Sequence, residues 1–451
     1  MPTFKVHPKI VVLDDDPTGS QTVHSCLLLT EWRVETIRNA LADHSPIFFI
    51  LTNTRSMDAG SAAALTREVC RNLKVALTDF NQPVVFVSRS DSTLRGHFPV
   101  ETDVMNDELG PFDAHFLIPA FFEGGRITDG GVHYVADANG RVRADETEFA
   151  KDSVFGYSTS YLPDYVEEKT HHRINSSDVL ILPTSMKHAS LVDILSGLSK
   201  YRCVAVDALS QDDLDVFAQA LLETAAAGKR FLFRSGASIL TSLAALPAQP
   251  FPPEEMHKLS RKSGTAGVVV VGSHVARTTA QLNELLSRDY SVPVEIDVNR
   301  LEPPDRDVHF DQPLRVADSL VVEDVLKSIS STLDEGLVPV VYTSRGERAF
   351  SSQDMRLRFG VLVSRILVEV VRQLPETTAF LVSKGGITSN DIVQHGLGLA
   401  AARSVGQVIA GCTVVRTPHD HRLADLPVVI FPGNVGGQEA LATAVERLSR
   451  S

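Results

Sequence analysis

Short apolar runs alternate with longer segments of helical periodicity along the whole chain. The runs are rich in β-branched residues, and the segments between them repeat apolar residues every three or four positions. Runs that are apolar throughout are typical of strands buried on both faces of a parallel sheet. They read KIVVLD, IFFIL, VVFVS, HFLI, VLIL, CVAVD and FLF in the first half, and GVVVVG, VPVEI, VPVVYT, AFLVS, TVV and VVIF in the second. The pattern predicts an α/β protein whose mainly parallel sheets are covered by helices.

A charged stretch with four prolines, ALPAQPFPPEEMHKLSRKSGTAG, separates the two sets of predicted strands. This composition is typical of a linker. At 451 residues the chain also exceeds what one hydrophobic core usually serves. We therefore predict an N-terminal domain over residues 1–246, a linker over 247–266 and a C-terminal domain over 267–451, with the active site in the cleft between the domains. Residues 121–175 contain few predicted strands, and we expect them to form an excursion beside the first domain's cleft.

Composition and charge narrow the classes of partner. The formal net charge of −13 argues against a broad grip on nucleic acid or on an anionic membrane, because both reward basic surfaces. No apolar run reaches the ~18 residues of a membrane span, and the N-terminus lacks the apolar region of a signal peptide, so we expect a cytoplasmic protein. We expect reduced, mostly buried thiols rather than disulfides or a zinc site, since no CxxC pair occurs among Cys26, Cys70, Cys203 and Cys412.

Acidic residues follow the first predicted strand. KIVVLD leads into Asp15 and Asp16, with Asp14 just before them and Pro-Thr-Gly after them. Ligands collect at the carboxyl ends of parallel strands, and crowded like charges are costly unless a cation or hydroxyl donors use them. One acid could therefore accept a proton from a substrate hydroxyl or help to hold Mg²⁺. Turn and helix-cap roles are an equally good interpretation of any single aspartate.

Arginines and small hydroxyls follow the next two strands. IFFIL precedes Arg55, and VVFVS precedes Arg89, Ser90, Asp91 and Ser92. Guanidinium groups bind carboxylates in a two-pronged geometry, while serine and aspartate bind sugar-like hydroxyls. A polyhydroxy acid would suit this mixture of groups. A structural network of ion pairs among the same arginines and aspartates is the alternative.

Glycine-rich turns follow three strands of the second half, and each turn precedes a helical pattern. The candidate residues of these turns are Ser273, Lys384, Gly385, Gly386, Ile387 and Gly433. Free backbone N–H groups and the positive end of a helix attract phosphate there, glycine lets the backbone come close, and Lys384 could neutralise a phosphate oxygen. Three such turns favour nucleotide binding, although turns that only reverse the chain would look similar.

The segments DDPTG, SRSDSTLRGH, GSH, KGGITSND and FPGNVGG together resemble the four-carbon acid sugar kinase family, over nearly the whole chain. The resemblance implies an N-terminal domain that binds a sugar acid through a DDxTG motif and a C-terminal domain that binds nucleotide. It also implies phosphorylation of a tetronate, such as threonate, erythronate or 3-oxo-tetronate, at the 4-hydroxyl. Many relatives carry an acid in the diglycine turn, as in GGDT or GGET, where this chain has Ile387. This departure suggests a subgroup and leaves open any metal or phosphate role for an acid at that position.

Carried over by motif, the resemblance implies a role for each group of candidate residues. Substrate contacts come from Asp15 or Asp16, from Arg55 and from residues 89–92; nucleotide contacts come from Ser273, residues 384–387 and Gly433. We expect Arg55 and Arg89 to hold the substrate carboxylate, and Asp16, or second Asp15, to accept the hydroxyl proton. ATP with Mg²⁺ would occupy the glycine-rich turns.

Two other classes of function remain alternatives. One is an ATP-dependent ligase or phosphatase that acts on a small hydroxy acid, and the other is a nucleotide-responsive binding protein without catalysis. The expected partners are a small sugar acid and ATP. The sequence does not specify the oligomeric state, and a homodimer is compatible with it.

Overall fold

The structure is a computed structural model, and it describes residues 7–16, 19–20, 22–137, 140–261, 266–346, 348–350, 352–433 and 435–449. Pro17 and Thr18 of the DDPTG segment and Asn434 of the FPGNVGG segment lie outside these residues. The chain divides into two compact units, Met1–Pro247 (unit 1) and Ala248–Ser451 (unit 2). Residues 248–259 of the predicted linker belong to unit 2, where Pro253–Leu259 forms a 3₁₀ helix.

Unit 1 is built on a parallel sheet with helices between its strands. The strands of this sheet are β1 (Lys9–Asp14), β2 (Leu27–Leu29), β3 (Ile47–Leu51), β4 (Val84–Arg89), β5 (Ala114–Ile118), β9 (Leu180–Leu182), β10 (Arg202–Val206) and β11 (Phe231–Ser235). They lie in the order β2-β3-β1-β4-β11-β5-β10-β9, and all neighbouring pairs are parallel. The helices are α1 (Val34–Ala42), α2 (Ala59–Ala76), α3 (Val100–Leu109), α4 (Leu162–Lys169), α5 (His188–Gly197), α6 (Gln211–Ala226) and α7 (Ser238–Ala244).

The hydrophobic pattern explains these elements. All residues of β1 are buried, as expected for a central strand covered on both faces. Helix α2 begins after Asp58, whose carboxylate accepts hydrogen bonds from the N–H groups of Gly60 and Ser61. Its buried residues Val69 and Leu73 lie four positions apart, on the face that packs against the unit.

Residues 126–129, 132–137 and 140–143 form a small antiparallel sheet that the sequence did not predict. Its strands are β6 (Arg126–Asp129), β7 (Val132–Asp137) and β8 (Gly140–Arg143). The prediction that residues 121–175 contain few strands was therefore wrong for this part. These strands are short and carry several polar residues, so they lack the uninterrupted apolar runs of the parallel sheet. A turn through Gly130 and Gly131, both with positive φ, joins β6 to β7.

Unit 2 is built on a mixed sheet. Its strands are β12 (Ala266–Val271), β13 (Ser291–Ile296), β14 (Val338–Thr343), β15 (Thr378–Lys384), β16 (Ala401–Ile409), β17 (Cys412–Arg416) and β18 (Pro427–Phe431). The run β13-β14-β12-β15-β18 is parallel, whereas β17 and β16 continue it antiparallel. The helices are α8 (Ala276–Leu286), α9 (Val316–Asp334), α10 (Gln353–Arg372), α11 (Gly386–Asp391), a π-helical segment (Ile392–Gly396) and α12 (Ala440–Leu448).

The predicted fold class is confirmed, because both units are α/β and the larger sheet of unit 1 and the sheet of unit 2 are mainly parallel. All four cysteines are buried thiols. Within the described ranges, no helix combines the length and apolarity that crossing a membrane requires.

Candidate active site

Four neighbouring strands of unit 1 end side by side and bring charged residues together. In register, Asp14 of β1 lies opposite Leu51 of β3 and Arg89 of β4, and Arg89 lies opposite Ser235 of β11. These strand ends, together with the segments that leave them, carry all of the acids and arginines predicted for the substrate site. The strand order therefore turns residues distant in sequence into one cluster.

Arg55 binds both aspartates of the DDPTG segment. Its Nη2 donates to Asp15, and its Nη1 donates to Asp16 at 3.0 Å. The Asp15 side chain is 1% exposed, whereas those of Asp16 and Arg55 are 28% and 20% exposed. Burial alone would lower the pKa of Arg55, but the two carboxylates raise it by more than burial lowers it. The net pKa of Arg55 therefore lies well above the ordinary value. Both carboxylates therefore face a fixed positive charge, and only Asp16 is substantially open to a ligand.

Arg89 lies inside the unit and pairs with Asp14. Its Nη1 is 3.4 Å from Asp14 Oδ1, and the residue is 5% exposed. The second oxygen of Asp14 is buried without a hydrogen-bond partner among the described residues, and Gly19 packs against this carboxylate. Burial raises the pKa of Asp14 to about 7, although Arg89 lowers it. This geometry favours an internal electrostatic role for Arg89; its predicted contact with a substrate carboxylate stays a prediction.

Arg234 and Glu101 complete the cluster, although neither was predicted from the sequence. Arg234 donates to Ser90 Oγ at 2.5 Å and to Glu101 at 2.8 Å, and Ser90 donates to Asp15. Glu101 also accepts from the hydroxyl of Thr54, next to Arg55. A chain of hydrogen bonds thus joins the ends of β1, β3, β4 and β11. An arginine within the apolar run FLFRS was the available signal, since a buried arginine requires a partner.

The loop after β4 is held by its own charges. Arg95 Nε donates to Asp91 at 2.8 Å, and Thr93 also donates to this carboxylate. Burial raises the pKa of Asp91, but Arg55 and Arg95 lower it more, to about 2. Gly96 has φ +120°, and a Cβ atom there would lie 2.4 Å from Ser90 Oγ. Only glycine therefore allows the loop to approach this closely.

Residues of the excursion bind three successive carbonyl groups of the same loop. His133 contacts the carbonyl oxygen of Ser92 at 2.7 Å, and the hydroxyls of Tyr157 and Tyr165 donate to those of Thr93 and Leu94 at 2.9 and 2.8 Å. Burial lowers the pKa of His133 to about 4, so the neutral ring donates through Nε2. The excursion therefore fixes the backbone that presents Ser92 and Asp91.

Unit 2 contains a cavity of about 740 Å³ next to two of the predicted turns. Of the residues predicted to contact nucleotide, Ser273, Gly385, Gly386 and Ile387 line it. The other lining residues are Gly272, His274, Val275, Val298, Arg345, Gly346, Arg348, Phe350, Arg356, Phe359, Gly360, Val363, Ser364, Leu367 and Thr388. The volume is in the range of small-molecule binding sites.

Glycines allow the two turns to meet at this cavity. Gly385 has φ +121°, and a Cβ atom there would lie 3.1 Å from Ser273 Cβ. A Cβ atom on Gly272 would lie 2.2 Å from Thr388 Oγ1. Helix α11 begins at Gly386, where the first N–H groups have no partner within the helix. The turn therefore presents backbone donors beside Ser273.

Lys384 lies beneath the turn and does not line the cavity. Its side chain is fully buried, and Nζ donates to the carbonyl groups of Pro432 at 2.5 Å and of Gly433 at 3.1 Å. Burial lowers the pKa of Lys384 to about 8. The lysine thus anchors the turn after β18, to which Gly433 belongs. Direct contact of Lys384 or Gly433 with a phosphate stays a prediction.

All three arginines and both phenylalanines of the cavity wall were missed. Arg345 and Arg348 follow β14, and Arg348 packs over the rings of Phe350 and Phe359 at 5.8 and 5.0 Å. The signal was present, because the strand VPVVYT is followed by SRGER just as IFFIL is followed by TNTRS.

Comparisons with known proteins match the two parts of the chain to two family models. Residues 10–243 match a sugar-binding N-terminal domain, and residues 268–441 match a nucleotide-binding C-terminal domain. The chain is 26% identical over 307 residues to D-erythronate kinase of Heliobacterium modesticaldum, covering 65% of this chain and 64% of that protein. It is 29% identical over 164 residues to D-threonate kinase of Bordetella bronchiseptica, covering 35% and 38%. The chain thus matches less than two thirds of the length of either curated relative.

Solved structures share the fold at low sequence identity. A protein of Salmonella typhimurium LT2 superimposes with a TM-score of 0.67 at 19% identity, covering 97% of this chain and 98% of that one. A Haemophilus influenzae protein of the DUF1537 family gives a TM-score of 0.65 at 17% identity, covering 97% and 100%. At these identities the likeness concerns the fold alone.

Proposed function

The chain belongs to the four-carbon acid sugar kinase family, and from this premise we propose that it transfers the terminal phosphate of ATP to the 4-hydroxyl of a tetronate. Candidate substrates are threonate, erythronate and 3-oxo-tetronate. The names of the curated relatives support this class of substrate. The observation that carries the proposal is the position of Arg55 against Asp15 and Asp16, at a strand end of the unit that matches a sugar-binding domain.

In this proposal unit 1 binds the sugar acid. Arg55 is part-exposed and offers a guanidinium to the substrate carboxylate, while Ser90, Asp91 and Ser92 lie in the loop that would contact its hydroxyls. Asp16 is the first choice for the group that accepts the hydroxyl proton, because its carboxylate is the more exposed of the two that Arg55 binds. Asp15 is the second choice, since it is almost fully buried between Arg55 and Ser90.

Unit 2 binds ATP in the proposed reaction. The start of α11 and the turn after β12 would direct backbone N–H groups toward phosphate oxygens. The substrate hydroxyl loses its proton to Asp16, its oxygen bonds to the terminal phosphorus of ATP, and the bond to the bridging oxygen breaks to release ADP. Catalysis of phosphoryl transfer depends mainly on positioning and on stabilisation of the phosphate charge.

Mg²⁺ accompanies ATP in this proposal. Among the residues that the structure describes, no group of three or more His, Cys, Asp or Glu side chains could hold a metal ion. Mg²⁺ in kinase sites is commonly held by one or two carboxylates together with the phosphates of the substrate. We therefore assign no protein ligand to it.

A turnover screen tests the proposed function. The protein is incubated with ATP, Mg²⁺ and, separately, the stereoisomers of threonate, erythronate and 3-oxo-tetronate. The expected products are ADP and a phosphorylated acid, identified by mass spectrometry. Free phosphate would instead support a phosphatase, a coupled product would support a ligase, and ATP binding without consumption would support a nucleotide-responsive binding protein. A homodimer and a cytoplasmic location stay predictions.

A further inference from the structure

A nucleotide in unit 2 would bring negative phosphate charge into the cavity. Lys384, the cation predicted to meet this charge, makes its hydrogen bonds elsewhere. Lys384 is fully buried and donates to the carbonyl groups of Pro432 and Gly433. The side chain that extends from the diglycine turn into the cavity is the neutral Ile387, which is 60% exposed. Three arginines, Arg345, Arg348 and Arg356, line the same cavity, and arginine can bind phosphate in a two-pronged geometry.

Arg345 has the required geometry. It follows β14 and lines the cavity. Its Nη2 donates to the carbonyl oxygen of Ser273 and to Thr279 Oγ1, both at 2.8 Å, and its Nε lies 3.3 Å from the same hydroxyl. Its Nη1 is buried and has no hydrogen-bond partner among the described residues. Two of the three guanidinium nitrogens are thus anchored, and the third retains both of its donors.

The anchors place this guanidinium at the candidate phosphate site. Ser273, whose carbonyl oxygen binds Arg345, packs against Gly385 at the start of the diglycine turn. Burial lowers the pKa of Arg345, yet an arginine in a protein keeps its charge. A buried donor without a partner costs free energy in the ligand-free protein, and an anionic ligand would supply the missing acceptor.

The neighbouring Arg348 is committed to other contacts. Its Nη1 donates to the carbonyl groups of Val298 at 3.1 Å and of Leu301 at 2.7 Å. Its guanidinium also packs over Phe350 and Phe359. Arg348 therefore stabilises the cavity wall, whereas Arg345 retains an unused donor.

We propose that Arg345 binds the phosphate chain of the nucleotide, with Nη1 donating to a non-bridging phosphate oxygen while Ser273 and Thr279 hold the guanidinium in place. The inference rests on the proposed function, because it takes the cavity of unit 2 as the nucleotide site. It adds a phosphate-binding residue outside the glycine-rich turns that the sequence motifs mark.

Calorimetric titration of the full chain with ATP, with adenosine and with inorganic tripolyphosphate tests the inference. Arg345→Gln removes the charge, and Thr279→Val removes an anchor while it keeps the charge. We expect Arg345→Gln to weaken ATP and tripolyphosphate binding about 10- to 100-fold, as loss of a hydrogen bond to a charged group does. Adenosine affinity should stay within about twofold, because adenosine has no phosphate. Arg345→Lys should fall between, because lysine keeps the charge without the fork.

Three results with the variants would overturn the inference. The first is an unchanged ATP affinity in Arg345→Gln. The second is an equal loss of affinity for ATP and for adenosine in that variant. The third is a loss of ATP affinity in Thr279→Val as large as that in Arg345→Gln. The last two would indicate a structural role. A wild-type protein that binds neither ATP nor tripolyphosphate would also overturn it.

Turnover with tetronates separates this inference from the proposed function. If the wild-type protein phosphorylates a tetronate and the Arg345→Gln variant keeps its ATP affinity, the inference about Arg345 is rejected and the proposed function stands. If the variants show the expected losses of ATP and tripolyphosphate affinity but the wild-type protein phosphorylates no tetronate, the proposed substrate is rejected and the inference about Arg345 stands.

Discussion

The guanidinium of Arg234 donates a 2.5 Å hydrogen bond to the hydroxyl oxygen of Ser90. Ser90 donates in turn to Asp15, so the hydroxyl that holds this carboxylate is itself fixed by an arginine from β11. The other side of Arg234 pairs with Glu101 at 2.8 Å, and both side chains are 6% exposed. The position of Asp15 therefore depends on a buried ion pair that lies outside the sequence motifs of the predicted site.

Removal of the Arg234 charge should destabilise unit 1. Arg234→Gln leaves Glu101 buried without its countercharge, and breaking a buried pair in this way typically costs about 3–5 kcal/mol. We expect the free energy of unfolding, measured in urea, to fall by about this amount. The double variant Arg234→Gln with Glu101→Gln should recover part of the loss, because no charge then remains without a partner.

Arg141→Gln is the matched control for this prediction. Arg141 pairs with Asp129 at 2.7 Å in the same unit, but the two side chains are 47% and 41% exposed. Exposed pairs contribute about 0–1 kcal/mol, because water and salt screen them. Equal losses in the Arg234 and Arg141 variants would contradict the interpretation of Arg234 as a buried structural charge.

Most strands that are buried along their whole length could be predicted from the sequence, whereas β2, β16 and the strands β6 to β8 were not predicted. KIVVLD and TAFLVSK are buried along their whole length as β1 and β15, so their apolar runs are uninterrupted. Strand β16, AARSVGQVI, alternates between buried and half-buried residues, and its polar positions hid it. The excursion strands β6 to β8 were missed for the same physical reason.

The expectation that ligands collect at the carboxyl ends of parallel strands predicted which residues lie close together, but it did not predict which side chains pair with one another. Asp16 and Arg55 lie in contact, because β1 and β3 are neighbours in the sheet. The sequence could not indicate that Arg89 turns inward to Asp14, or that Lys384 lies beneath its turn. Such choices depend on side-chain direction within a packed layer, and the spacing of residues along a strand does not specify it.

The unfolding free energy should depend on pH through Asp14. Its pKa rises from 3.8 to about 7 on folding, mainly through burial. Between these values the folded protein keeps a proton that the unfolded chain has lost. The contribution of Asp14 to stability is therefore full below about pH 4 and is lost as the pH rises through about 7.

Asp14→Asn tests this sign in urea titrations at about pH 5 and about pH 8. Asparagine cannot lose a proton, so the fall in unfolding free energy between the two conditions should be smaller in the variant than in the wild type. Asp58→Asn is the control, since Asp58 is an exposed helix cap whose pKa is lowered by its hydrogen bonds to Ser61. An Asp14→Asn variant as pH-dependent as the wild type would reject the assignment.

Lys384 should act chiefly as an anchor of the turn after β18. Lys384→Met leaves the carbonyl groups of Pro432 and Gly433 without their donor, so the free energy of unfolding should fall by about 2 kcal/mol or more. Lys258→Met, at an exposed pair with Glu255, should change it by less than about 0.5 kcal/mol. A Lys384→Met variant that unfolds normally but loses ATP affinity would instead support direct phosphate contact.

Gly385→Ala should weaken nucleotide binding. At φ +121° an alanine is strained, and its Cβ would lie 3.1 Å from Ser273 Cβ, where the two turns meet at the cavity. We expect ATP affinity to fall about 10-fold or more in calorimetric titrations, because a shift of either turn by a fraction of an ångström misaligns the backbone donors. Gly360 lies on α10 in the same cavity wall, and a Cβ atom added there would have open space around it. Gly360→Ala therefore serves as the control. Equal effects of the two substitutions would show that added bulk, not backbone strain, matters.

Asp16→Asn should abolish most of the turnover while the sugar acid still binds. Asparagine keeps the shape of Asp16 and can still accept a hydrogen bond from Arg55, but it cannot take a proton from the substrate hydroxyl. We expect kcat to fall ~10²-fold or more, with KM for the acid changed by less than about threefold.

Asp15→Asn should behave differently, because Asp15 is almost fully buried and binds both Arg55 and Ser90. It should lower the unfolding free energy and raise KM together with its effect on kcat. Normal turnover in Asp16→Asn, with the loss confined to Asp15→Asn, would move the role of proton acceptor to Asp15.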